Sequence, residues 1–210
     1  MPKLIYVADP MCSWCWGYKP TLDTVRDKVG DSVDIQYVMG GLARDSDEPM
    51  PAETQAYVKG QWDKVAQKTG AAFNWDFWDK CKPRRSTYPA CRAVIAASLQ
   101  GKAAERAMFE AIQHAYYQEA RNPSDVSTLL ELASELGLDQ RKFAEDLRSE
   151  AVETLLQEGF QLRRSLNANQ FPSLILEAGG VHHWVTTGYA DSNTVLRRIN
   201  EVLQPLASDT

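Results

Sequence analysis

Long apolar runs are missing from this 210-residue sequence. No stretch approaches the roughly 18 apolar residues of a membrane-spanning helix, so no membrane span is expected. A basic surplus is missing too: 23 Lys and Arg stand against 28 Asp and Glu, a formal net charge of -5. General nucleic-acid binders carry a positive excess to neutralise phosphates, so no nucleic-acid partner is expected. The one locally basic stretch, Lys80-Cys81-Lys82-Pro83-Arg84-Arg85, reads as a solvated loop. Histidine is scarce, and the adjacent His182 and His183 fall in a predicted strand. Successive side chains there point to opposite faces, so the two rings do not readily chelate one ion. The opening Met1-Pro2-Lys3 leads straight into a strand pattern without an apolar leader, which predicts no signal peptide and a cytoplasmic setting. In that reducing compartment the four cysteines, Cys12, Cys15, Cys81 and Cys91, are not expected to form a structural disulfide framework.

What the chain does have is 44% hydrophobic residues, enough for one substantial core, or one core with a smaller satellite lobe. Its most informative segment is Cys12-Ser13-Trp14-Cys15, between an apolar run (Leu4 to Ala8) and a helical pattern. Two cysteines three positions apart in one helical turn can close a small ring, and so cycle between dithiol and disulfide. Unpaired N–H groups and the positive dipole end at the helix start favour a thiolate at the first of them. Cys12 is therefore the expected attacking sulfur and Cys15 the resolving one. A zinc site made from both cysteine pairs is disfavoured, because Cys81 and Cys91 are widely spaced. No metal or organic cofactor is expected.

Periodicity predicts a strand over 3–8, a helix over 12–29 ended by Gly30, and a strand over 33–39 closed by Gly40-Gly41. From 43 to 167 the alternation disappears and helical spacing takes over. Helices are expected over 52–68, 88–99 and 103–117, then one capped by Ser124 and ending at Gly137, one capped by Asp139 and running to Arg148, and one over 151–166. Pro172 to Glu177 and Val181 to Thr187 read as strands joined through Gly179-Gly180, a hairpin signal, and 193–203 as a last helix.

The segment Asp9-Pro10-Met11-Cys12-Ser13-Trp14-Cys15-Trp16-Gly17-Tyr18 resembles the active-site segment of the DsbA family of thioredoxin-like oxidoreductases, nearest to its cytosolic FrnE-like branch. The resemblance extends to Phe171-Pro172-Ser173-Leu174-Ile175-Leu176 and to Ser86-Thr87-Tyr88-Pro89-Ala90-Cys91-Arg92-Ala93. It implies an α/β chain with the thioredoxin fold, β-α-β then β-β-α, carrying a large all-helical insertion. Residues 1–42 and 168–210 would form the thioredoxin-like domain, and 43–167 the insertion. It also implies a cis Pro172 opposite the dithiol, with Phe171 offering its main chain to an extended substrate segment. The chain has Asn167-Ala168-Asn169-Gln170 where the family often carries a glycine.

The expected chemistry is thiol–disulfide exchange or isomerisation through a mixed disulfide. The expected partners are disulfide- or thiol-containing proteins or small thiols, with glutathione as an eligible co-substrate. Trp14 and Trp16 are read either as an apolar rim for substrate or as helix packing. Ser13 is read as a donor to the Cys12 thiolate or as a solvated serine, and Asp9 as a turn residue in preference to a proton relay. The aromatic run Phe73 to Trp78, with Tyr116 and Tyr117, is read as lobe core in preference to a groove. Cys91 is read as a buried free thiol. Two other functions stay open: a glutathione-dependent transferase or isomerase of the kappa or chromene-carboxylate type, and a non-catalytic, chaperone-like binding module.

Overall fold

The structure is a computed structural model and describes residues 1–207. Its sheet is built around β1 (Lys3–Ala8), which is buried from Leu4 to Ala8. A central strand covered on both faces has no solvent side, so its sequence is a continuous apolar run. It pairs in parallel with β2 (Asp34–Met39) and antiparallel with β3 (Ser173–Ala178). The hairpin through Gly179 and Gly180, at φ 60° and 77°, brings β4 (Val181–Thr187) to the edge, in the order β2-β1-β3-β4. Between β1 and β2 runs α1 (Ser13–Val29), and after β4 comes α9 (Ser192–Ala207). This is the thioredoxin fold, β-α-β then β-β-α, anticipated from the order of elements.

The seven helices interposed between β2 and β3 are α2 (Ala52–Thr69), α3 (Phe77–Lys80), α4 (Tyr88–Ser98), α5 (Lys102–Gln118), α6 (Val126–Glu135), α7 (Gln140–Asp146) and α8 (Glu150–Ser165). Alternation along β1 divides the core: Leu4, Tyr6 and Ala8 face α1 and the helices, while Ile5 and Val7 join Val38, Leu166, Ala168 and Ile175 on the other side of the sheet. Within the insertion Trp62 of α2 is fully buried. It is ringed by Phe73, Trp75, Phe77, Trp78, Tyr116 and Tyr117 at centroid distances of 5.0 to 5.9 Å. The aromatic run is therefore lobe core, as expected.

The insertion is clamped onto the redox end of α1. Gly17 makes this approach possible, because a Cβ there would meet Val65 Cγ1 of α2 at 2.6 Å. Trp16 stacks on Tyr117 at 5.6 Å and donates its indole N–H to the Ala72 carbonyl.

One local expectation is corrected. Ser124 does not cap α6. Asp125 holds the cap position, and the Ser124 hydroxyl instead donates to the Ser86 carbonyl at 2.6 Å. A buried carbonyl in need of a partner outcompetes a local cap. The cap of α8, not anticipated, is Ser149, which accepts from the Val152 N–H; Asp139 caps α7 as expected.

Candidate active site

The β1 strand ends at Ala8, and Asp9-Pro10 turns the chain so that the Cys12 N–H donates to the Asp9 carbonyl at 3.0 Å. Cys12 thereby takes the N-cap position of α1 with extended dihedrals, and Cys15 follows one turn later inside the helix. The two sulfurs differ in access. Cys12 retains 7% of its surface and lines a groove, whereas Cys15 retains 1% and does not. Burial pushes the Cys15 thiol well above the ordinary range, and the adjacent Cys12 pushes in the same direction. No disulfide joins the two cysteines in the structure.

Opposite the pair lies the Phe171-Pro172 turn, where the peptide bond is cis. The Phe171 carbonyl oxygen sits 3.9 Å from Cys12 Sγ. The ring of Phe171 has room because Gly40 ends β2: a Cβ at residue 40 would fall 2.2 Å from that ring. The groove has a volume of about 1010 Å³ and runs past Cys12, Trp14, Phe171 and Tyr189 to α2 and α8. Of the two tryptophans, only Trp14 lines it. Its indole N–H donates to the Gln61 amide oxygen at 3.2 Å. Trp16 is turned to the insertion core. Ser13 is buried and makes no hydrogen bond to Cys12.

Asp9 does more than make a turn. Its carboxylate is fully buried and accepts from four donors: the Met11 N–H (2.8 Å), the Leu42 N–H (2.7 Å), the Thr87 hydroxyl (2.6 Å) and the Cys91 thiol (3.5 Å). Those donors come from the cysteine turn, the loop after β2 and α4, so one side chain ties three segments together behind the dithiol. Burial raises the Asp9 carboxyl above its ordinary value, against the downward pull of Thr87 and of the Leu42 and Met11 amides.

The second pair of cysteines is not brought together as a redox couple. Cys91 lies on the buried face of α4 and donates to Asp9, and Cys81 follows α3 and donates to the Ala120 carbonyl at 3.0 Å. His182 lies 3.6 Å from Glu177 on the neighbouring strand. Among the described residues no group of three or more His, Cys, Asp or Glu is arranged to hold a metal ion, and no helix is long and apolar enough to cross a membrane.

Several groove residues were not anticipated. Tyr57, Gln61, Lys64 and Lys68 recur at helical spacing along α2 and all line the groove, as does Arg163 of α8. The spacing was readable as one helix face. Which way that face points was not, because it depends on the Gly17 contact with α2.

A thioredoxin family profile matches residues 5–180. Among solved structures, a candidate protein disulfide isomerase of Nitrosomonas europaea superposes with a TM-score of 0.88 at 29% identity, covering 97% of this chain and 98% of that one. The cytosolic disulfide reductase DsbM of Pseudomonas aeruginosa superposes with a TM-score of 0.78 at 28% identity, over 98% and 99% of the two chains, and has also been solved with GSH. Among curated proteins, the ClpXP adapter protein SpxH of Bacillus subtilis is 26% identical over 175 residues, 82% of this chain and 58% of its own length. The chain thus spans less than two thirds of that relative. These neighbours bear out the DsbA-like resemblance.

Proposed function

The chain belongs to the thioredoxin family, and from that premise we propose that it is a thiol–disulfide oxidoreductase working through Cys12 and Cys15. In this reading the Cys12 thiolate attacks one sulfur of a substrate disulfide, forming a Cys12–substrate mixed disulfide and expelling the other sulfur as a thiolate, which takes a proton from solvent. Cys15 then loses its proton and displaces the substrate thiolate, leaving a Cys12–Cys15 disulfide. Two electrons pass from the dithiol to the substrate, and two molecules of a small thiol of the glutathione type restore the dithiol by the same steps reversed, leaving as their own disulfide. The observation that carries the reading is the asymmetry of the pair: one sulfur open to the groove at a helix N-terminus, the other buried one turn behind it. The Phe171 main chain beside Cys12 suits an extended substrate segment, and Trp14 gives the groove an apolar wall.

The name of the DsbM relative supports the reducing direction and a cytoplasmic setting, and its complex with GSH supports glutathione as co-substrate. The test is trapping. Cys15→Ser incubated with a disulfide-bonded protein accumulates a covalent adduct through Cys12 that is released by dithiothreitol; absence of any adduct with intact Cys12 rejects the reading.

A second reading is favoured by the SpxH relatives, which are named as adapters. There the same groove binds a protein client without turnover. Client binding that survives Cys12→Ser, together with no exchange by the wild type, selects it.

A further inference from the structure

In a chain with net charge -5, the groove beside Cys12 contains no Asp or Glu but three cations, Lys64, Lys68 and Arg163. Elsewhere cations are neutralised where they meet carboxylates: Arg92 by Asp45 and Glu153, and Arg121 by Glu119, Glu131 and Glu135. Among the described residues none of the three groove cations has an ion-pair partner. Arg163 goes further. Its guanidinium lies over the Phe171 ring at 5.7 Å, and its Nε is buried with no hydrogen-bond partner. A buried donor without an acceptor carries a desolvation cost until something accepts from it. Lys64 and Lys68 lie one turn apart on the α2 face that is joined to the dithiol segment through Gln61 and Trp14. Two helices thus bring uncompensated positive charge to one groove, next to the open sulfur.

We propose that this groove is a carboxylate-recognition site, which selects disulfides of small carboxylate-bearing thiols, the class to which glutathione belongs, over neutral and cationic disulfides. The proposal rests on the oxidoreductase reading and adds to it a charge rule and the residues that enforce it. Arg163 beside Phe171 presents a planar fork to a carboxylate close to the reacting sulfur, and Lys64 and Lys68 hold the more distant negative end. The chemistry is the regenerating half of the exchange given above, read in its reverse direction: the small disulfide R–S–S–R gains two electrons and leaves as two thiols, while Cys12 and Cys15 become a disulfide, and by reversibility the same groove holds the thiols that restore the dithiol.

The test is a single-turnover series with the reduced full chain and three probes: glutathione disulfide (anionic), 2-hydroxyethyl disulfide (neutral) and cystamine (cationic). Each rate is divided by that of the same probe with dithiothreitol, which removes intrinsic reactivity. The expected order is anionic, neutral, cationic, with an anionic-to-neutral ratio of about tenfold at low salt, because each exposed ion pair adds only a modest attraction and three cations act together. That ratio shrinks towards one at about 1 M salt, where the screening length falls to about 3 Å. In the Lys64→Gln/Lys68→Gln double variant the ratio falls about fivefold, and in Arg163→Gln it falls as well. Equal normalised rates for the three probes, or a ratio unchanged in both variants, overturn the charge rule and leave the dithiol reading standing. No exchange with any of the three probes overturns the dithiol reading itself.

Discussion

The molecule carries two pairs of cysteines, and they live in different chemistry. Cys12 and Cys15 share one turn at the start of α1, the first sulfur facing a groove and the second covered. Cys81 and Cys91 lie on separate elements, each with a hydrogen-bond acceptor already in place, the Ala120 carbonyl and the Asp9 carboxylate. Exposure alone does not separate the pairs, for Cys81 is more exposed than Cys12. Burial raises the Cys81 thiol, and Asp125 adds to the effect; burial raises Cys91 further, with Asp9 adding to it. In the proposed reading, redox competence therefore follows from where a cysteine sits relative to a helix N-terminus and a resolving partner, not from how much of it water touches.

The largest effect expected from breaking this contrast is at the first pair. Cys12→Ser abolishes exchange with every disulfide, measured by turnover, while Cys15→Ser stops after the first step and gains the mass of one substrate thiol. Next in size is the buried clasp. Asp9→Ala leaves the Met11 and Leu42 N–H groups and the Cys91 thiol without an acceptor, while the Thr87 hydroxyl keeps the Ala43 carbonyl at 3.4 Å; it costs about 3 kcal/mol or more in urea unfolding, given about 1–3 kcal/mol for each buried donor left unsatisfied. The pH dependence has a definite sign. The folded Asp9 carboxyl is raised above its ordinary 3.8, so the folded chain binds that proton more tightly than the unfolded chain. The stability from this group is full below about pH 3.8 and is lost as the pH rises through the raised value. In Asp9→Asn, which does not titrate, that falling segment is absent from the stability curve.

Smaller effects sharpen the contrast from the other side. Cys91→Ala opens a small void on α4 and removes one donor to Asp9, costing about 1–2 kcal/mol, with exchange through Cys12 within about twofold of the wild type. Cys81→Ser, which keeps a donor for the Ala120 carbonyl, changes stability by less than about 0.5 kcal/mol and exchange not measurably.

Much of the frame was legible in the sequence because local rules and tertiary packing agree there. The buried run Leu4 to Ala8, the Gly30 stop, the Gly179-Gly180 hairpin and the Asp139 cap each follow from spacing or from one residue's conformational preference. Cys12, Cys15 and the Phe171-Pro172 turn were legible from motif and resemblance. What was not legible depends on distant segments meeting. Thr87 reaches Asp9 across 78 positions, and Ser124 gives up its helix cap for the Ser86 carbonyl. The basic face of α2 acquires meaning only once Gly17 lets that helix dock beside α1. No local pattern encodes those contacts, because each is decided by which distant groups meet: a buried polar group that lacks a partner, or a surface that a glycine leaves open.

The most direct test of the account is a redox titration of the whole chain in glutathione buffers, with acid quenching, alkylation and mass readout for each cysteine. The account predicts one reversible two-electron couple that joins Cys12 to Cys15, with Cys81 and Cys91 alkylated as free thiols at every potential sampled. A disulfide between Cys81 and Cys91, or a Cys12 that never pairs with Cys15, would contradict it.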